Sequence, residues 1–295
     1  MLPLESVPNF SEGRDRETID AIGAALSGSA RLLDVHSDPD HNRSVYTLVG
    51  DEAALVEALL AGIAVARERI DLRRHEGAHP RIGAADVVPL VPLRTEDMER
   101  ARSAALDLAR RIGDELSLPA FLYGELAAGR GPAFFRRAGS EELARRLSAG
   151  ELAPDFGPAA LDAAAGGVIV GARRPLIAFN VDLRGATGDD ARAIASVVRE
   201  RDGGFPGVRA LGLDLPAAGR VQVSMNVEDW EAAALHEIVA RIEAEAKSRG
   251  VEVAGSELVG LMPAGAAARA AGALLRIDGF DATRLLELRL LDETR

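Results

Sequence analysis

The sequence predicts an α+β protein of two similar βαββαβ halves, joined near residue 175, with a ligand cleft between them. Three observations carry this expectation. Segments with strand and helix patterns follow one another in the same order twice. Their alternation is too irregular for a purely parallel sheet, which favours helices packed on a mixed or antiparallel one. Between the two passes, residues 152–174 are rich in Gly, Pro and Ala and lose periodicity, as a linker or ligand loop would. The halves are therefore expected to span residues 1–175 and 176–295.

Taken in order, residues 4–9 (LESVPN) read as a short strand, followed by the turn Ser11-Glu12-Gly13 and a helix on which Ile19, Ile22 and Leu26 recur at helical spacing. Arg31–His36 and Ser44–Gly50 read as strands joined by the polar loop SDPDHNR. Over residues 52–70, Leu55, Leu59, Ile63, Ala66 and Ile70 form one stripe of a long core-facing helix. A polar loop containing RRHEGAHPR then leads into a buried strand, Ala85–Leu93. Thr95, Glu96 and Asp97 suit an N-cap and acidic first turn for a helix carrying Met98, Ala101, Ala105, Leu108 and Ile112, and the strand LPAFLYGE follows. Beyond residue 175 come strand LIAFNVDL, a helix from Asp189, strands VRALGLDL and RVQVSMNV, a helix with Leu235, Ile238 and Ile242, and strand ELVGLM. In RVQVSMNV, Val221, Val223, Met225 and Val227 alternate with polar residues, so one face is buried and one polar.

Composition removes several kinds of chemistry. With 35 Lys+Arg against 46 Asp+Glu the net charge is -11, which disfavours broad binding to nucleic acid or an anionic membrane, so an anionic ligand needs a local Arg cluster. There is no Cys, which excludes disulfides and thiolate zinc. Lys247 is the only lysine, and neither GxGxxG nor GxxxxGK occurs, which argues against Schiff-base, dinucleotide and ATP chemistry. The start, MLPLESVPNF, lacks the basic and apolar parts of a signal peptide, and the apolar run Ala58–Ala66 is too short to span a bilayer. A cytoplasmic protein is expected.

Four of the five histidines, His36, His41, His75 and His79, lie within residues 36–79. The loop from Arg73 to Arg81 pairs imidazoles, which titrate near neutrality, with guanidinium groups that hold carboxylates. Pro80 restricts His79 to extended backbone, while Gly77 and Gly83 permit tight turns. On spacing alone a solvated surface loop explains two such histidines equally well. HEGAH formally matches the zincin frame, but that motif needs a helix, which Gly77 and Pro80 oppose. His36, Asp38, Asp40 and His41 could form a metal cluster, although Asp-Pro-Asp is ordinary turn chemistry in a solvated loop. Asn42-Arg43 and Asn9 can point polar groups at one end of the same sheet. The turn Asp155-Phe156-Gly157-Pro158 and the pair Gly166-Gly167 could wall a planar ligand or form a flexible linker. His236 reads as structural.

VPNFSEGRD, LLDVHSDPDHNRSVYTLVG, IDLRRHEGAHPRIGAADVVPLVPL, FLYGE, APDFGP, GARRPLIAFNV and GSELVGLMP, in this order, resemble the glutamate formimidoyltransferase family from about residue 4 to residue 265. The stretch HxGxHPRxGAxD is its specific part. The resemblance implies two ferredoxin-like subdomains holding folate between them, without a cyclodeaminase domain, and a homodimer. It implies transfer of a formimino group from N-formimino-L-glutamate to tetrahydrofolate as co-substrate, in histidine degradation, with no metal. His79 matches the catalytic histidine, Arg43 and Arg81 match carboxylate-binding positions, and Asn9 and Asn42 would orient the substrate. Phe156, Gly157, Pro158, Gly166 and Gly167 would line the folate side. Two departures stand out: His36 replaces an acidic residue of some relatives, and AALDAAAGGV after APDFGP is poor in aromatic and polar groups. Formyl transfer between glutamate and folate, or folate or anion binding without catalysis, are the alternatives on the same scaffold.

Overall fold

The computed structural model describes residues 2–77, 80–215 and 219–293, and the chain divides into two compact units, Met1–Arg174 and Pro175–Arg295. Each is mixed α+β with its own sheet.

In the first unit the chain runs β1 (Leu4–Ser6), β2 (Asn9–Phe10), α1 (Arg16–Leu26), β3 (Arg31–Asp38), β4 (Arg43–Gly50), α2 (Glu52–Arg69), β5 (Ala85–Pro92), α3 (Met98–Leu116), β6 (Ala120–Gly124), α4 (Pro132–Arg136), α5 (Gly139–Ser148) and β7 (Val168–Ala172). Residues 4–9, read as one strand, are two: Val7-Pro8 interrupts the ladder, because proline has no N–H to give. Together β1 and β2 fill the place between β4 and β5, antiparallel to both. β3 pairs with β4, while β7 and then β6 extend the sheet in parallel from β5. Thr95–Asp97 is a 3-10 turn, so Thr95 does not cap α3.

Helices α1, α2 and α3 cover one face with Ile22, Leu59 and Leu108, against Phe10, Leu48, Leu90 and Val170. A second cluster joins Phe135 of α4 and Leu143 and Leu147 of α5 to Ile82, Val87, Phe121 and Ile169. β7 is therefore buried along its whole length, which explains why a segment read as linker contains a strand: without a wet face, VIVGA shows no alternation. Tight contacts seat it. Gly83 and Gly166 form a bridge, the Gly167 N–H donates to the Ile82 carbonyl (3.0 Å), and a Cβ on Gly83 would meet the Gly167 backbone.

The second unit contains β8 (Ile177–Arg184), α6 (Gly188–Val198), β9 (Val208–Leu215), β10 (Arg220–Val227), α7 (Leu235–Ser248), β11 (Glu252–Val259), α8 (Ala264–Leu275) and α9 (Leu286–Glu293). The sheet is antiparallel in the order β11-β8-β10-β9. Thr187 and Asp190 form a capping box at α6, one residue before the expected helix start. β11 begins five residues earlier than ELVGLM suggests, with an irregularity between Val253 and Gly255 that hides its period in the sequence. Alternation in β10 places Val223, Met225 and Val227 in the core with Ile194, Ile238 and Ile242, but Val221 is only partly buried and Gln222, expected on the polar face, is fully buried and donates to Asp182 Oδ1 (3.0 Å).

Candidate active site

β2 ends, and β4, β5, β7 and β6 begin, at one end of the first sheet. That edge spans four strand spacings, about 19 Å. The loops leaving it carry the residues singled out in the sequence. His79 lies outside the described residues, and the surrounding positions define the neighbourhood.

Arg81 and Asn42 build the frame. The Arg81 guanidinium donates from Nη1 to the Asn42 carbonyl (2.9 Å) and from Nη2 to the His41 carbonyl (2.9 Å). Nη1 also lies 2.8 Å from His75 Nε2. The same Nε2 lies 3.2 Å from the Asn42 carbonyl oxygen, so it sits between the Arg81 donor and a backbone acceptor, and the tautomer decides which of the two it bonds. Burial pushes the His75 pKa down, and the Arg81 charge lowers it further. Asn42 adopts a left-handed backbone (φ 46°), while its side chain accepts from Gly13 N–H and donates to the Glu76 carbonyl, each at 2.9 Å. Three loops thus meet on one amide. At Gly77 a Cβ would stand 2.6 Å from the His41 carbonyl oxygen, so only glycine lets the loops close. The loop SDPDHNR is not the solvated turn its composition suggests: His41 is 7% and Asn42 6% exposed. Asp38 Oδ1 accepts from the backbone N–H groups of Asp40 and His41, an Asx turn folded inward. His75, Glu76 and Gly77 are not helical, which removes the geometry a zincin frame needs.

Arg43 Nη2 donates to Asn9 Oδ1, and Asn9 Nδ2 donates to the Val7 carbonyl (2.9 Å). Arg43 Nε is buried without a hydrogen-bond partner among the described residues. Burial pulls the Arg43 pKa down to about 9, helped by Arg136 and Arg81 and opposed by Asp86 and Asp38. Burial likewise lowers Arg81 to about 10. Both stay charged at neutral pH, forming a local cationic site within an acidic chain. Asp86 and Arg136, paired with each other, belong to this group and were given no role from the sequence. A signal existed: a carboxylate inside the buried run Ala85–Pro92 requires a partner.

Phe156 pairs with Ala120 at the start of β6, and Gly157 packs against the backbone of Leu118 and Gly113, while Pro158 is exposed. Gly166 and Gly167 are buried beside Ile82 and Gly83, at the base of the histidine loop. The structure brings Asn9, Asn42, Arg43 and Arg81 together and sets Phe156–Pro158 at the far strand of the same sheet end.

Family descriptions match both units: "Formiminotransferase domain, N-terminal subdomain" over residues 3–173 and "Formiminotransferase domain" over residues 178–280. Glutamate formimidoyltransferase of Thermoplasma acidophilum is 40% identical, with 97% of each chain covered. The enzyme of that name from Streptococcus pyogenes serotype M1 is 38% identical over 98% of each. Formimidoyltransferase-cyclodeaminase of Sus scrofa is 42% identical over 88% of this chain and 50% of its own length.

Proposed function

The chain belongs to the formiminotransferase family, and from that premise we propose that it transfers the formimino group of N-formimino-L-glutamate to tetrahydrofolate, giving 5-formiminotetrahydrofolate and glutamate. One observation carries the reading to the site. His75 and Arg81, held on the Asn42 carbonyl, lie at the same sheet end as the Arg43–Asn9 pair, which joins imidazole chemistry to local positive charge in a chain of net charge -11.

The folate N5 attacks the amidine carbon, the N5 proton leaves, and the glutamate nitrogen gains a proton as its bond to that carbon breaks. One imidazole can take the first proton and return the second, a task worth roughly 10²- to 10⁴-fold in rate. We assign it to His79. The enclosure of His75 Nε2 between Arg81 Nη1 and the Asn42 carbonyl supports this choice, since that nitrogen is already engaged within the protein. Arg43 is the carboxylate ligand, aimed by Asn9. Arg81 and Asn42 brace the loops through the contacts described above. Phe156–Pro158 take the folate side, which their place at the same sheet end supports, while Gly166–Gly167, buried with their N–H groups bonded to Asp162 and Ile82, back that wall from within.

Both units are read as ferredoxin-like subdomains, 1–175 and 176–295. The orders β3-β4-(β1, β2)-β5 and β9-β10-β8-β11 support that reading. A cytoplasmic homodimer completes the proposal. Among the described residues no helix is long and apolar enough to cross a membrane.

The test is spectrophotometric turnover of purified protein with tetrahydrofolate and either formiminoglutamate or formylglutamate. Formimino transfer is the expected result. Turnover with the formyl donor alone would make the enzyme a formyltransferase, and folate binding without turnover would make it a binding protein.

A further inference from the structure

We infer that the buried Asp86–Arg136 ion pair anchors the His75–Arg81 loop, making Asp86 a positioning residue for the reaction; this rests on the proposed formimino transfer. Asp86 is 3% exposed, within a strand whose other members are apolar. An isolated carboxylate there would be strongly disfavoured, so its partners define its purpose. Oδ1 accepts from the Ile82 N–H at 2.8 Å, and Oδ2 accepts from Arg136 Nη2. Ile82 directly follows Arg81, where the loop rejoins the sheet. One carboxylate therefore ties the backbone at the base of the loop to a side chain that enters fifty positions later in sequence.

The element that supplies Arg136 is itself pinned to the same place. α4 is a short helix whose Phe135 is fully buried, with its ring 5.2 Å from that of Phe121, in the cluster that also contains Ile82 and Val87. Hydrophobic packing fixes the helix, and the ion pair transmits that position to the loop. Asp86 further offsets the mutual repulsion of Arg43, Arg81 and Arg136. Without it, three guanidinium groups crowd one buried region, and those that frame the loop are displaced. The pair acts through the loop and touches no reacting atom.

The experiment compares wild type with Arg136→Gln, Arg136→Lys, Asp86→Asn and the double variant Asp86→Asn/Arg136→Gln, measuring kcat, donor KM and amide exchange at Ile82. Arg136→Gln should lower kcat roughly ten- to a hundredfold with little change in KM, because a misplaced loop slows the chemical step. Arg136→Lys should recover most of that loss. Asp86→Asn retains an oxygen for Ile82 but removes the charge, so the double variant should fall no further than the worse single one. Faster exchange at Ile82 should accompany each loss. Folded Arg136→Gln with wild-type kcat and wild-type Ile82 protection would overturn the inference, as would losses that simply add. If Asp86→Asn fails to fold, the two Arg136 variants decide. Should wild type show no turnover, the functional reading fails, and Ile82 exchange in Arg136→Gln still decides for or against the anchor.

Discussion

His75 is held as a neutral ring by burial and by the Arg81 guanidinium, and this has a consequence for stability. Its folded pKa lies below the unfolded value of about 6.5, so the native state binds fewer protons between the two. The stability is present above that value and is lost as pH falls through it. Melting curves between about pH 7.5 and 5 should show wild type losing Tm more steeply than His75→Gln; parallel losses would contradict the assignment. Arg43 has a different task. Arg43→Gln should raise the donor KM roughly ten- to a hundredfold, matching about 1.5–3 kcal/mol for a hydrogen-bonded charge, while kcat changes little. Steady-state kinetics at varied donor concentration checks it, and an unchanged KM would place the carboxylates elsewhere. The polar character of these residues was legible in the sequence, but their division of labour was not. Arg81 and Asn42, readable there as substrate ligands, turn much of their hydrogen bonding onto backbone carbonyls and amides that only folding brings near. Asp86 stood in plain view inside an apolar run, while its partner lay fifty positions away.

Among the elements, those with one wet face were readable: α1, α2, α3 and α7 follow their stripes, while β10 does so only from Val223 to Val227, since Gln222 is buried. β7 was hidden because helices on both faces remove the alternation, and the break between β1 and β2 turns on a proline whose effect depends on a ladder partner. β7 matters for the site, since its entry holds the base of the histidine loop through Gly83, Gly166 and Gly167. Gly83→Ala drives a methyl group into the Gly167 backbone, so overpacking should cost about 1–3 kcal/mol or more, with turnover reduced in the folded fraction. Urea unfolding measures it. A variant as stable as wild type would show that β7 can shift without consequence.

At the scale of the whole molecule, an acidic chain needs a local cationic cluster to gather anionic substrates, and Arg43 with Arg81 is the one proposed for that task, while Arg136 is paired with Asp86. Net charge announced the need for such a cluster without saying where it would form. The fold class was legible because the same element order recurs in two units, each matched by a formiminotransferase description. Removing divalent metal with a chelator should leave turnover unchanged, because the proposed proton transfers need only an imidazole; loss of activity restored by zinc would contradict this. The most direct test of the account compares kcat for His79→Ala and His75→Ala with formiminoglutamate and tetrahydrofolate. The account predicts that His79→Ala loses at least about a hundredfold in kcat with folate binding retained, while His75→Ala loses much less. A crippled His75→Ala beside a mildly affected His79→Ala would contradict it.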